Sequence, residues 1–180
     1  MRTFHATTEA VLIADEKGNF VTRRVPEIEV ELAGIPGDRH YGLLVPADSR
    51  QSIYERGTMI ANRRQISIIS VEECEEIAQG MGIEAIEPEW LGANLLVSGI
   101  QGLTLLPVGT RLVFPDGTGL ICEGENEPCV LPGKKIAAAI SDESLAKKFV
   151  PNAKRKRGIV CSIEREGIIR AGDEIRIIRP

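Results

Sequence analysis

The chain has 180 residues, a mass of 19.6 kDa and a formal net charge of −4. Hydrophobic residues make up 43% and charged residues 27%, which excludes a mainly disordered chain, and the acidic excess disfavours a protein built to coat nucleic acid. No apolar run reaches the roughly 18 residues of a membrane span, and Met1 to Ala10 lacks the apolar stretch of a signal peptide, so the chain reads as cytosolic with no membrane partner.

Glu9 to Ala14 and Phe20 to Val25 are extended runs flanking the turn composition Asp15-Glu16-Lys17-Gly18-Asn19, which predicts a hairpin. Ile28 to Leu32 alternates apolar residues with Glu, as a half-buried strand does. Gly34 to Gly42 then breaks regular structure with three glycines, Pro36 and the charged residues Asp38 and Arg39. Val45 to Arg64 is polar and irregular and reads as a connection. Ile66 to Ile69 is a buried strand, and Ser70-Val71-Glu72-Glu73 reads as a capping box opening a helix to about Gly80. That helix places Val71, Cys74, Ile77 and Ala78 on one face, which puts Cys74 in a core.

Leu95 to Val97, Thr110 to Phe114 and Gly119 to Cys122 are short strands, the last two joined by Pro115-Asp116-Gly117. Cys122 to Lys135 reads as a long polar loop, Ser141 to Val150 as a helix stopped by Pro151, and Arg157 to Pro180 as three strands. Short, closely spaced strands outnumber helices. The fold class is therefore mainly β, an antiparallel barrel with a few peripheral helices. No linker divides it, so residues 1–180 read as one domain.

Four cysteines are present, Cys74, Cys122, Cys129 and Cys161, and no Cys-x-x-Cys pair offers a structural zinc site. A reducing cytosol disfavours disulfides. Cys129 differs from the rest because it follows Pro128 in the polar loop and precedes Lys134 and Lys135. A proline limits the orientation of its neighbours, and nearby cations favour the thiolate that attacks sulfur or binds metal, while the preceding acids oppose it. From Lys134 to Arg157 eight basic residues stand against Asp142 and Glu143, a local excess suited to a phosphate or another anion. The run Lys154 to Arg157 is also compatible with a solvated face or a nucleic-acid patch, though it lacks neighbouring aromatics for stacking. His5 and His40 are the only histidines. A Cys129–His40 pair has the types needed for nucleophile and base, but the sequence identifies no third group to orient the ring.

The segments Gly37–Gly42, Arg64–Ser70, Leu91–Ile100, Leu106–Leu112 and Pro128-Cys129, taken in that order, resemble MOSC domains, named for the C-terminal region of molybdenum cofactor sulfurases. Gly37-Asp38-Arg39-His40-Tyr41-Gly42 is similar to the family's Gly-Asp-x-His-x-Gly element, and Arg64-Gln65-Ile66-Ser67-Ile68-Ile69-Ser70 to its arginine-led strand. Leu91 to Ile100 resembles Gly-Glu-Asn-Leu…Gly-Ile, with Ala93 where Glu is usual and Asn94 retained. Leu106 to Leu112 and Pro128-Cys129 complete the series. The motifs run from about residue 34 to 135, and strands in 157–180 would complete the domain.

The resemblance implies a barrel related to the β-barrel domain of pyruvate kinase. It implies Cys129 as persulfide acceptor or metal ligand. Arg39, His40, Arg64 and Asn94 then become candidate pocket residues, with Lys134 and Lys135 as further anion contacts. It also implies the molybdenum cofactor (molybdopterin) as ligand. The partners would be an anionic pterin, a sulfur donor such as a pyridoxal phosphate-linked cysteine desulfurase, or an electron-transfer protein. The short chain tells against a self-sufficient reductase. A non-catalytic module holding a small anion or a partner is the alternative, and there Cys129→Ser leaves affinity unchanged.

Overall fold

Twelve strands and four α-helices form around a closed barrel in the computed structural model, which describes residues 3–180. The longest strand, β1 (Thr3–Ile13), shows why period-2 reading works and where it stops. Ala6 and Val11 both enter the barrel core although their positions differ by an odd offset, which would put them on opposite faces of a regular strand. A bulge between Thr8 and Ala10 shifts the register and exchanges the two faces of the strand.

The barrel ring is completed by β6 (Ile66–Ser70), β7 (Leu95–Ser98), β8 (Arg111–Val113), β9 (Gly119–Glu125), β10 (Ile159–Arg165) and β12 (Glu174–Ile178). Around the ring the order is β1, β12, β8, β9, β10, β6, β7 and back to β1. The expected hairpin is present: β2 (Arg23–Val25) lies antiparallel on β1, with Val11 opposite Val25. Two ribbons stand beside the ring, β3 (Glu27–Val30) with β11 (Gly167–Arg170), and β4 (Leu44–Pro46) with β5 (Met59–Ala61). The second ribbon lies inside the stretch expected to be irregular. It lacked a sequence signal because its strands have only three residues each.

The barrel is not wholly antiparallel. β6 and β7 run parallel, joined across the outside by α1 (Val71–Met81) and α2 (Pro88–Leu91). This explains why every residue of β6 is buried. Ile66 and Ile68 point into the barrel, whereas Ile69 belongs to a second cluster under the helices. The three buried cysteines follow the same division, with Cys122 and Cys161 opposite each other inside the barrel and Cys74 beneath α1.

Half of the capping box forms. The Ser70 hydroxyl accepts the Glu73 N–H at 3.3 Å, but Glu73 does not reach back. Its carboxylate instead accepts the N–H of Thr104 at 3.0 Å and the hydroxyl of Thr104 at 2.7 Å, pinning the 3-10 turn Leu103–Leu105.

The expected helix from Ser141 to Val150 is corrected to a 3-10 helix, Glu143–Lys147, followed by α4 (Phe149–Ala153). Pro151 lies within α4 instead of ending a helix. It sits in the first turn, where a missing N–H costs no helical bond. The same argument explains α3 (Val130–Ile140), which replaces half of the expected polar loop. Pro132 occupies its first turn, and Gly133 lies where α3 crosses Ala146 and Phe149. A Cβ at Gly133 would stand 2.6 Å from the Ala146 carbonyl oxygen and 2.9 Å from the Phe149 Cβ. Gly133→Ala is therefore expected to destabilise the protein by about 1–3 kcal/mol, although Ala is the better helix former by about 1 kcal/mol. Thermal unfolding checks the sign: a raised Tm would show that α3 has room to shift.

Candidate functional site

Between β3 and β4 the chain turns back through Gly34 to Gly42, and Asp38 is its anchor. Its side chain is fully buried, and the carboxylate gathers the N–H of Ala14 at 2.8 Å, Asn94 Nδ2 at 3.0 Å, and the N–H and Nδ1 of His40 at 2.9 and 3.0 Å. Burial pushes the Asp38 carboxyl up, but hydrogen bonds from His40 and Ala14 outweigh it and hold the group below its ordinary value of 3.8. Asp38 is thus the orienting group for His40, two residues before it in the chain. It fixes the imidazole through Nδ1, and the ring is about one-third exposed.

From Asp38 a polar chain crosses the barrel wall. Asn94, fully buried, accepts the Ser67 N–H at 3.0 Å, and the Ser67 hydroxyl accepts from Asn126 Nδ2 at 3.2 Å. Asn126 in turn accepts from Arg64 Nη2 at 2.7 Å. Asn62 ties the two ends together by donating to the carbonyls of His40 and Gly42 and accepting the Arg64 N–H at 3.0 Å. His40, Asn94 and Arg64, far apart in sequence, thereby join one network whose last member, Asn126, begins the loop to Cys129.

Cys129 is exposed, whereas Cys74, Cys122 and Cys161 are buried. Burial pushes the Cys74 thiol up to about 12 and also raises Cys122 and Cys161, so these three stay protonated. Cys129 is the N-cap of α3, with φ −125° and ψ 176°, and its side chain makes no capping hydrogen bond. The N–H groups of Val130 and Leu131 are left without helical acceptors, a locally positive end facing the sulfur's surroundings.

A charged Cys129 sulfur would be among the smaller influences raising Arg50, Arg64 and Arg157, which come from three distant segments. Arg50, in the turn between β4 and β5, forks onto both oxygens of Asp48. Arg64 is lowered from its usual range by burial and then by Arg50. Arg157 is 6% exposed and donates to the Leu91 carbonyl, while its Nη1 has no hydrogen-bond partner. Burial lowers Arg157 to about 10, which still leaves it charged at neutral pH.

Other expected contacts lie elsewhere. Lys134 and Lys135 are exposed beyond the first turn of α3, roughly 7–9 Å along the axis from the cap. The Arg39 side chain is exposed and has no hydrogen bond or ion pair among the described residues, and none joins His40 to Cys129. The basic run 154–157 does not form one patch: Lys154 and Arg155 are exposed, Lys156 pairs with Glu76 at 2.8 Å, and Arg157 is buried. Arg50, Arg157, Asp38 and Asn126 were missed as site residues. For Asp38 the signal was available in the Gly-Asp-x-His element itself.

A hollow of about 590 Å³ lies by Met81, Trp90, Ile140 and Lys148 and includes none of the thiol loop. A smaller one, about 410 Å³, is bounded by Glu125, Glu127, Pro128, Pro151, Lys154 and Arg155 and adjoins Cys129 through Pro128. The chemistry favours the smaller one. No group of three or more His, Cys, Asp or Glu side chains placed to hold a metal ion occurs among the described residues, and none of their helices is long and apolar enough to cross a membrane.

Comparison with known proteins agrees with the barrel and its motifs. The MOSC domain profile matches residues 39–176. YuaD of Bacillus subtilis (strain 168), which carries a provisional assignment to metal–sulfur cluster biosynthesis, is 50% identical over 173 residues, covering 96% of this chain and 90% of that protein. A crystal structure of YuaD from Bacillus subtilis superposes with a TM-score of 0.96 at 48% identity, covering 99% of this chain and 98% of the other. YiiM from Geobacillus stearothermophilus shares the fold, with a TM-score of 0.63 at 13% identity over 97% of this chain and 75% of its own.

Proposed function

The chain belongs to the MOSC domain family, and on that basis we propose that it is a sulfur carrier whose acceptor is Cys129. The observation that supports this most is the contrast among four thiols. One is exposed at an uncapped helix start, and three are buried with their thiols raised by burial. The thiolate is the form that attacks sulfane sulfur, and of the four thiols only Cys129 is open to a donor. The Cys129 thiolate would attack the outer sulfur of a donor persulfide, such as that of a cysteine desulfurase. A new S–S bond forms, the donor's S–S bond breaks, and the donor cysteine leaves as thiolate. Work on metal–sulfur clusters, to which the relative YuaD is provisionally assigned, calls for the same delivery of sulfur.

A second reading rests on two arginines. MOSC domains are associated with the molybdenum cofactor, whose phosphate is anionic. Arg64 and Arg157 carry charge without a carboxylate hydrogen-bonded to them, so the donor set fits such a group. Arg64 would hold the phosphate, and Cys129 would supply one thiolate to the metal. When bound, the cofactor would supply two-electron redox chemistry. The protein's part would be to orient it through Arg64, itself fixed by Asn126 and Asn62.

Incubating the reduced protein with a cysteine desulfurase and labelled cysteine tests the carrier reading. Uptake of one sulfane sulfur per chain, released by dithiothreitol, is expected. Uptake no greater than background, alongside pterin binding detected by fluorescence, would instead favour the cofactor reading.

A further inference from the structure

We propose that the hollow of about 590 Å³ among the helices binds a small organic ammonium ion that carries an apolar group. The site is separate from the thiol. α3 begins at Cys129 and reaches the hollow with Ile140 at its far end, about 16 Å along the axis. The proposal is therefore independent of the function assigned to Cys129.

Size and wall come first. A volume of this order suits a small molecule. Met81, Ile83, Trp90, Ile140 and Leu145 supply an apolar wall. Met81 and Leu145 are buried in the cluster beneath the helices, and Ile83 and Trp90 pack against that cluster, so the wall is backed by core and keeps its shape. Ile140 is 39% exposed and offers apolar surface that no other element of the chain covers. Among side chains, an indole attracts a cation most strongly through its ring quadrupole.

Charge then selects the ligand. Glu84, Glu87 and Asp142 line the hollow against Lys148 alone. Asp142 accepts the Ser144 N–H at 2.9 Å, and Glu87 pairs with Arg24 at 3.5 Å. Glu84 is exposed and has no hydrogen bond or ion pair among the described residues. Two helices also end here, α1 at Met81 and α3 at Ile140, and neither has a basic residue in its last turn. Helix C-termini carry partial negative charge, which Lys or Arg commonly offsets. Both features oppose an anion. A bare metal ion fits no better, because no three carboxylate, His or Cys side chains among the described residues lie close enough to hold one. Carboxylates spread around an apolar wall suit a cation carried on an organic body. The ammonium would answer the carboxylates and the indole, and its apolar group the side chains of Ile140 and Leu145.

Trp90 is the only tryptophan of the chain, so its fluorescence reports on the hollow directly. The test titrates the full chain with phenethylamine, phenethyl alcohol and phenylacetate, which are alike in shape and differ in charge, with calorimetry as a second readout. Saturable binding of one amine per chain is expected, at least about fivefold tighter than the alcohol, with no binding of phenylacetate. Glu84→Gln should weaken the amine about threefold, Lys148→Gln should tighten it about threefold, and neither should change the alcohol. Both positions are exposed, so folding is not at stake. Equal affinity for amine and alcohol would make the hollow a plain apolar cleft and would overturn the proposal. Absence of amine binding by both readouts would overturn it too, as would amine affinity that neither substitution moves.

Discussion

Cys129→Ser should remove all sulfur uptake while leaving the protein at least as stable as the wild type. The two effects have one structural origin. Cys129 occupies the N-cap of α3, a position where Ser ranks among the best residues, yet its thiol makes no capping bond. A Ser hydroxyl there can accept the Leu131 N–H, because Pro132 at the next position has none to offer. The gain should be up to about 1 kcal/mol, read as a higher Tm. Oxygen cannot replace sulfur as persulfide acceptor or soft-metal ligand, so the chemistry is lost entirely. A helix start that forgoes its best cap is what a functional cysteine predicts. The opposite pattern, a Cys129→Ser protein that is several kcal/mol weaker but still takes up sulfur, would make Cys129 a structural thiol.

The second large effect belongs to Asp38. Its carboxylate satisfies three buried or half-buried donors, on Ala14, Asn94 and His40, and orients the His40 ring besides. Asp38→Ala leaves these donors without an acceptor and should cost about 2–5 kcal/mol. The cost should depend on pH in a definite direction. Because the folded carboxyl lies below its ordinary value of 3.8, its contribution is complete above that value and is lost as pH falls through the folded one. Wild-type and Asp38→Ala melting temperatures should therefore differ most near neutral pH and approach each other in strong acid. A gap that stays constant through the acid range would mean that the charge on Asp38 is not what holds the loop.

The strands were legible because their signals are local. β6, β7, β10 and β12 are short apolar or alternating runs bounded by turn residues, and the Gly-Asp-x-His element and Pro128-Cys129 stand out by composition. α3 was not legible because Pro132 and Gly133 read as breakers. Their presence makes sense only with the first turn's free N–H groups and the close approach of Ala146 on the page. The spacing of Ser70 and Glu73 suits a capping box, but the Glu73 carboxylate turns instead to Thr104, a partner 31 residues away. The site's charge had the same character. Lys134 and Lys135 stand out by nearness in sequence, whereas Arg64, which joins the network leading to the thiol loop, lies far from Cys129 in the chain. Closure of the barrel brings β6, β9 and β10 side by side, and with them Arg64, the Asn126 loop and the start of β10. No property of a short window encodes that meeting.

The most direct test of the account is a peptide map of the wild-type protein after sulfur loading from a cysteine desulfurase, with all four cysteines resolved by mass spectrometry. The added sulfur is expected on Cys129 alone. Sulfur on Cys74 or Cys161, with Cys129 unmodified, would contradict the assignment.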